Sequence, residues 1–224
     1  MAATDTLLWI VLGGVVLPLW LLAGFADYAC HARTDLAHTS GVHESLLHLV
    51  ETAEIGVPML AFLFLQPTAL VLAVMAAGVA AHAWSSWRDF VYADPRRRIG
   101  PGEQYIHAFL TVLPWAALVL VLVLHRDTIA AVFDPTVAAD WGLRWRRPAL
   151  DDGLLLAILG AALLLGVLPG LLELAHALRV RRQARAAGTR VADLTPGVPM
   201  PSGRGPRRSA QASSSSARSA TKPR

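Results

Sequence analysis

Four apolar segments of the sequence each carry a carboxylate and an imidazole at helical spacing. Three pairs are four residues apart and one pair is seven apart: Asp27 and His31, Glu44 and His48, Glu103 and His107, and His82 and Asp89. Positions i, i+4 and i+7 lie on one face of an α-helix. Each segment is therefore expected to present both groups on the same side.

Carboxylates and imidazoles that project inward from four helices are the ligands of di-iron and di-manganese bundles. A set of nitrogen and oxygen donors without thiolate suits iron or manganese, and zinc is also possible. The single cysteine, Cys30, excludes a cysteine cluster. Glu51, one turn deeper than His48, is a natural ninth ligand. We therefore predict a site for two metal ions formed by Asp27, His31, Glu44, His48, Glu51, His82, Asp89, Glu103 and His107.

The same residues also allow a structural network without metal. A charged side chain at the middle of a bilayer costs roughly 2.5–3.5 kcal/mol, so Glu51 and Glu54 must be compensated in some way. In the structural alternative the carboxylates pair with histidines, and Arg88 or the arginines at 96–98 neutralise the rest. Both the metal site and the network remain open from the residues alone.

Two other metal sites fit less well, and one further motif is ambiguous. A zinc protease helix needs two histidines four residues apart, whereas His43 and His48 are five apart. Haem ligated by two histidines does not explain the surplus of carboxylates. Glu173 and His176 form an E-x-x-H motif near the end of the last apolar run, a spacing known from di-iron bundles. They either join the site or mark the membrane interface.

Membrane-spanning helices are the elements that must position these residues. The chain has 224 residues, of which 54% are hydrophobic. Residues 7–25 and 154–172 are uncharged, and a helix needs about 20 residues to cross a bilayer. Shorter uncharged runs at 67–81 and 108–124 span once a flanking turn is added, and residues 44–65 supply the second span. We predict an all-α, polytopic membrane bundle of about five transmembrane helices.

The alternation of spans predicts the organisation of the chain. We predict a four-helix membrane core with the His and carboxylate residues at 1–125, an extracytoplasmic loop at 126–152 and the fifth span at 153–178. A disordered basic tail is predicted at 179–224, which contains 11 of the 20 Lys and Arg residues. The positive-inside rule places the cluster and the tail in the cytoplasm and the N-terminus outside. We expect a retained first helix and no specific nucleic-acid binding by the tail.

Three runs within residues 7–125 carry a resemblance to a known group of proteins. They read "DYACH" at 27–31, "TSGVHESLLH" at 39–48 and "EQYIH" at 103–107. With them the chain resembles small proteobacterial membrane proteins of unassigned function, some of which are automatically labelled diguanylate cyclase. This resemblance implies a location in the bacterial inner membrane. The sequence has no GGDEF-like loop, no soluble α/β pattern and no nucleotide-binding glycine motif, so we do not expect that cyclase activity.

The His and carboxylate pairs are similar in their chemistry to the metal ligands of membrane desaturases, hydroxylases and alternative oxidases. The sequence lacks the full set of HxxxH and HxxHH boxes of the desaturases, and the order of its ligands differs from that in the ExxH pairs of the oxidases. This similarity implies oxygen-dependent oxidation, hydroxylation or desaturation of a lipid-soluble substrate at two irons. Electrons must then come from a partner protein, because no flavin, haem or nicotinamide motif is visible. The alternatives are a metal-binding sensor or transporter without redox chemistry, and a structural or partner-binding membrane protein surrounded by lipid.

Overall fold

A computed structural model of the protein describes residues 2–188, and this part of the chain consists of six helices without strands. Helix α1 comprises Ala2–Val11, Leu12–Val16 and Leu17–Arg33; α2 is Gly41–Phe64; α3 is Ala69–Ala93; α4 is Pro101–Leu124; α5 is Arg126–Phe133; and α6 comprises Asp152–Ala162, Leu163–Val167 and Leu168–Ala186. Five of the six, all but α5, are long and apolar enough to cross a membrane. The predicted all-α bundle of five transmembrane helices is therefore confirmed.

The last helix extends beyond its predicted end. We expected the fifth span to end at residue 178, but α6 continues to Ala186. The segment 179–186 contains four arginines and one glutamine, which are good helix formers, and its Val180 and Ala184 are buried, so the helix continues past the hydrophobic run. It stops before Gly188, whose φ of +68° is the left-handed conformation typical of a helix C-terminus. The rest of the predicted tail, 189–224, lies outside the described residues.

The five long helices form a closed ring. Helix α1 packs against α4, α4 against α3, α3 against α2, α2 against α6, and α6 against α1. The fifth span therefore lies between the first and the second, and it is part of the core that the sequence assigned to the first four helices. Five helices, rather than four, surround the interior of the bundle.

Helices α2 and α3 approach each other closely where Gly78 faces Pro58. Pro58 lies inside α2 and has no N–H to donate to the carbonyl of Glu54, four residues earlier. A Cβ atom built on Gly78 would lie 2.4 Å from the carbonyl oxygen of Glu54 and 2.4 Å from Cγ of Pro58. Only glycine fits at this crossing, which fixes the register of the two helices.

Each of the two longest helices contains a π-helical turn directly before a Leu-Pro dipeptide. In α1 the turn is Leu12–Val16, and the N–H of Leu17 donates to the carbonyl of Leu12. In α6 it is Leu163–Val167, and the N–H of Leu168 donates to the carbonyl of Leu163. A proline in a helix removes one hydrogen bond and crowds the preceding turn, and a wider turn accommodates it. Both π turns line cavities inside the ring.

The two ends of the bundle differ. We call the end with connections 34–40 and 94–100 the cluster end, and the end with connections 65–68 and 134–151 the loop end. At the loop end, the segment 134–151 is hydrogen-bonded to the α2–α3 connection: the N–H of Gln66 donates to the carbonyl of Arg144 at 2.8 Å, and the N–H of Arg146 to that of Phe64 at 2.8 Å. The expected meeting of four helix ends at the cluster end is observed, whereas the side of the membrane that it faces stays a prediction.

Candidate metal centre

Seven of the nine predicted ligands meet at the cluster end. They come from four helices, as the spacing indicated: Asp27, His31, Glu44, His48, Asp89, Glu103 and His107. The carboxylates and His31 are buried, and the other two histidines are half-buried. Glu173 of α6 and Arg97 of the α3–α4 connection complete the group, which we call the cluster.

Glu173 connects two of the histidines. Its Oε2 lies 2.8 Å from Nδ1 of His31, and its Oε1 lies 2.9 Å from Nδ1 of His48. The two rings are stacked, with centroids 4.6 Å apart and planes 10° from parallel. An ionised carboxylate only accepts hydrogen bonds, so both Nδ1 atoms carry the hydrogen. In a neutral imidazole this leaves Nε2 with a free lone pair, and both Nε2 atoms face the other carboxylates.

The first group of possible ligands surrounds Nε2 of His31. This atom lies 3.4 Å from Oε1 of Glu103 and 3.5 Å from Oδ1 of Asp27. The same Oδ1 lies 2.9 Å from Nε2 of His107. Ligand atoms from these four residues are all within 4.8 Å of one another. A metal bound at about 2.0–2.2 Å from nitrogen and oxygen holds its ligands roughly 3–3.5 Å apart, so these separations suit one ion.

The second group surrounds Nε2 of His48. Oδ2 of Asp89 lies 3.4 Å from this atom, and Oε1 of Glu44 lies 3.9 Å from it. His31, Glu44 and His48 also offer ligand atoms within 4.8 Å of one another. The two groups are therefore adjacent, and His31 and Glu173 contact both.

Arg97 lies between the two groups. Its Nη2 is 2.5 Å from Oε1 of Glu44, and its Nη1 is 2.5 Å from Oε1 of Glu103. Burial disfavours the charge of this guanidinium, but the two carboxylates outweigh that effect and raise the pKa of Arg97 above its ordinary value. Of the arginines at 96–98, the sequence could not say which one neutralises the carboxylates. In the structure it is Arg97, while Arg96 stacks on the ring of Tyr92.

The cluster carries more negative than positive charge. Its five carboxylates and one guanidinium leave four negative charges when the three imidazoles are neutral. Among the described residues, Nε2 of His31, Oδ1 of Asp89 and Oε2 of Glu103 are buried without a hydrogen-bond partner, whereas Oδ1 of Asp27 contacts Nε2 of His107 and Oε1 of Glu103 contacts Nη1 of Arg97. Uncompensated buried charge is costly, so the arrangement requires further cations, either protons on the histidines or metal ions.

The structure does not bring the remaining two predicted ligands, Glu51 and His82, into the cluster. His82 lies two turns from Asp89, which is about 10 Å along the helix, and its Nε2 lies 3.2 Å from the carbonyl oxygen of Leu110. Glu51 is about one turn deeper than His48, and its buried Oε1 has no hydrogen-bond partner among the described residues. Spacing of i+7 gives a shared face but not a shared depth, so His82 and Glu51 lie deeper in the bundle than the other seven residues.

Glu173 was the residue that the sequence left undecided. The E-x-x-H motif pointed to it, and the structure places it at the centre of the cluster. His176, the second residue of that motif, is exposed and does not join the cluster. Which helix lies beside which could not be read from hydropathy, so the motif alone did not decide between a ligand and an interface residue.

Two cavities lie inside the ring above the cluster. The smaller, of about 90 Å³, is lined by His31, His48 and Glu173 on one side and by Glu51 and His82 on another. The larger, of about 590 Å³, is lined almost entirely by apolar side chains and reaches the loop end. Trp20 of α1 lines both, so the two cavities are neighbours along the axis of the bundle.

No protein-family model, no curated protein and no solved structure matches this chain.

Proposed function

We propose that the protein is a metal-dependent membrane oxidoreductase whose cluster holds two first-row transition-metal ions, with iron preferred and manganese or zinc as alternatives. The observation that carries the proposal is the position of Glu173, which accepts a hydrogen bond from Nδ1 of both His31 and His48. Metal-binding histidines almost always donate their second ring N–H to such a partner, which fixes the tautomer and the orientation of the ring.

The donor set supports the choice of metal. Imidazole nitrogens and carboxylate oxygens without thiolate suit iron and manganese, and the surplus of four negative charges favours divalent cations. In this proposal Asp27, Glu103 and His107 hold one ion together with His31, and Glu44 and Asp89 hold the other together with His48. Two divalent ions would balance the four charges of the cluster with its histidines neutral.

The large apolar cavity supports a lipophilic substrate. When bound, the metals supply the activation of molecular oxygen; the balanced reaction is hydroxylation, in which one oxygen atom enters a C–H bond and the other leaves as water. This needs two electrons and two protons, and we assign the electrons to a partner protein that docks at the cluster end. Desaturation uses the same reactants but removes two hydrogens from the chain and releases two waters. The protein's own side chains position the ions and keep the substrate chain in a largely dry cavity.

One observation favours a second candidate, a structural network without metal. Arg97 already occupies the space between Glu44 and Glu103, as a bridging cation would. In this alternative the three histidines of the cluster are protonated, which reduces its net charge from four negative charges to one. The cluster then fixes the packing of the five helices and catalyses nothing.

Metal analysis of the purified full-length protein separates the two. After iron-replete, reducing purification, we expect about two irons or manganese ions per chain, and loss of metal in folded His48→Ala and Glu103→Ala variants. His38→Ala is the matched control, because this histidine pairs with Asp35 at a more exposed position outside the cluster and its loss should leave the metal in place. A folded protein without stoichiometric metal would refute the metal centre and leave the structural network.

With metal present, oxygen consumption in the presence of a reductant and candidate lipids tests the enzyme. Turnover that disappears in His48→Ala supports the oxidoreductase. Bound metal without oxygen uptake for any lipid class or reductant would contradict oxidation and favour a metal sensor or carrier. A reporter fused to either terminus tests the proposed orientation, in which the N-terminus is outside and the cluster end and tail are cytoplasmic.

A further inference from the structure

The larger cavity is an apolar chamber between the helices. Its volume of about 590 Å³ is within the range of roughly 300–1,000 Å³ that is usual for small-molecule sites. All five long helices contribute to its wall, among them Leu12 of α1, Ile55 of α2, Met75 of α3, Leu118 of α4 and Ile158 of α6. Such a wall favours an apolar ligand, because most of the side chains that line the cavity can neither donate nor accept a hydrogen bond.

Arg146 is the single charged residue among the described residues that line this cavity. Its Nε and Nη2 atoms are buried and have no hydrogen-bond partner among the described residues. The guanidinium lies 5.1 Å from the centre of the Phe62 ring, which gives it a cation–π contact but no counter-ion. Buried, unpaired donors of a charged group are costly. A ligand that accepts hydrogen bonds from this group would remove that cost.

The backbone holds Arg146 at the end of the chamber. Its N–H donates to the carbonyl of Phe64 at 2.8 Å, and the adjoining Leu65 and Trp145 form an antiparallel bridge. The neighbouring Arg144 differs, because its side chain is exposed and paired with Asp140. Of these two arginines of the same loop, only Arg146 is fixed against the cavity without an acidic partner.

The chamber leads from Arg146 towards the cluster. On α2, the residues that line it begin at Leu63 and continue through Met59 to Ile55, and the smaller cavity continues with Thr52 and His48. From Phe62 to His48 the helix rises about 21 Å. A ligand with its polar end at Arg146 and an extended chain along this path has its far end near Trp20, on the side of the cluster.

We propose that the cavity binds a single-chain amphiphile with a carboxylate head, such as a long-chain fatty acid, with the carboxylate on Arg146 and the chain directed towards the cluster. The planar guanidinium pairs with a carboxylate through two parallel hydrogen bonds. The consequence for chemistry rests on the proposed function: oxidation would take place near the chain terminus, far from the carboxylate.

Binding to the metal-depleted, full-length protein in nanodiscs tests the head group. We expect hexadecanoate to displace a bound fluorescent fatty acid better than hexadecanol does, and Arg146→Gln to weaken hexadecanoate about tenfold to a hundredfold, as for the loss of hydrogen bonds to a charged group. Arg144→Gln is the matched control and should not change the affinity. Equal affinity for the acid and the alcohol would overturn the proposal, and tighter binding of a lysophosphatidate than of hexadecanoate would overturn the carboxylate as the head group.

The direction of the chain can be tested without altering Arg146. Trp9 stacks on Phe62, with ring centroids 6.0 Å apart, and marks the head end, whereas Trp20 marks the end towards the cluster. A fatty acid brominated beside the carboxylate should quench the fluorescence of Trp9, which is identified as the emission that the Trp9→Phe variant lacks. A fatty acid brominated near the terminal methyl group should quench the fluorescence of Trp20, which is identified in the same way with the Trp20→Phe variant. The reverse pattern, or no quenching of either residue, would refute the assigned direction.

These experiments separate failure of the inference from failure of the proposed function, since neither needs bound metal. If the protein as purified under iron-replete conditions holds no stoichiometric metal but still binds fatty acid through Arg146, the oxidoreductase is refuted and the amphiphile site is kept. A metal-loaded protein with turnover but without this binding would refute the site alone. If both proposals hold, the products of hexadecanoate carry the new oxygen or double bond in the terminal part of the chain.

Discussion

Replacing Glu173 by glutamine is the most direct test of the arrangement in the cluster. Glutamine has nearly the same shape but offers one oxygen and one NH₂ group in place of two oxygens. Because both His31 and His48 donate from Nδ1 to this residue, one of them would face a donor in the variant. That histidine must adopt the other tautomer, with its hydrogen on Nε2, and it can then no longer bind a metal through Nε2.

The structure sets the size of the expected effect. Loss of a residue that orients a metal ligand typically lowers metal affinity about 10- to 100-fold, which corresponds to about 1.4–2.8 kcal/mol. Since only one of the two histidines faces the NH₂ group, only one ion should be weakened to this extent. At limiting metal concentration we therefore expect the content to fall from about two ions to about one ion per chain.

The assay is a competitive metal titration against a chelator of known affinity, with helix content and thermal unfolding measured on the same sample. His176→Gln is the matched control, because this residue lies one turn further along the same helix but is exposed. A folded Glu173→Gln variant that binds two ions with unchanged affinities would refute the role of Glu173. Equal weakening of both ions would refute the tautomer argument.

Three further results are expected. Gly78→Ala should lower the free energy of unfolding by about 1–3 kcal/mol, seen as a lower melting temperature, because its Cβ overlaps the facing helix; Gly56→Ala, which meets open space, is the control. Without metal, Arg97→Ala should lower the free energy of unfolding by about 3–5 kcal/mol, because it leaves two buried carboxylates unpaired. The exposed Arg98→Ala is the control and should leave the free energy of unfolding unchanged. An Arg97→Ala variant as stable as the unchanged protein would contradict the bridge between Glu44 and Glu103. Burial and a neighbouring guanidinium lower the pKa of His125 from 6.5, although a carbonyl hydrogen bond raises it. Folding thus favours the neutral form of His125, so the free energy of unfolding should fall as the pH drops below 6.5. The same dependence of the free energy of unfolding on pH in His125→Asn would refute this assignment.

Hydropathy and helical periodicity predicted much of this molecule. The uncharged runs identified four of the five long helices, and the stretch 44–65, which contains three glutamates, was recognised as the other span. The i, i+4 pairs identified residues such as Asp27 and His31 that do meet. Periodicity describes one helix at a time, so it assigned a face correctly but left depth uncertain, as His82 demonstrates. The run of arginines at 96–98 was recognised as a source of neutralising charge, but the choice of Arg97 depends on the path of a connection that has no periodic signal.

The order of the helices around the ring could not be predicted from composition. Glu173 enters the cluster only because α6 lies between α1 and α2. The apolar chamber likewise depends on where proline and π-helical turns widen the helices, and on a loop whose backbone hydrogen bonds hold Arg146 in place. These features arise from packing between distant segments, and no local pattern of residues reports them.

The closure of the ring by α1 and α6 has a consequence for biogenesis. A chain is made from its N-terminus, so the first four spans are synthesised before Glu173. Until the fifth span arrives, His31 and His48 lack the carboxylate that joins them, and the interior of the bundle is open on one side. Maturation of the cluster is therefore a post-insertion event, and a chain truncated after residue 125 is expected to remain a substrate for membrane proteases.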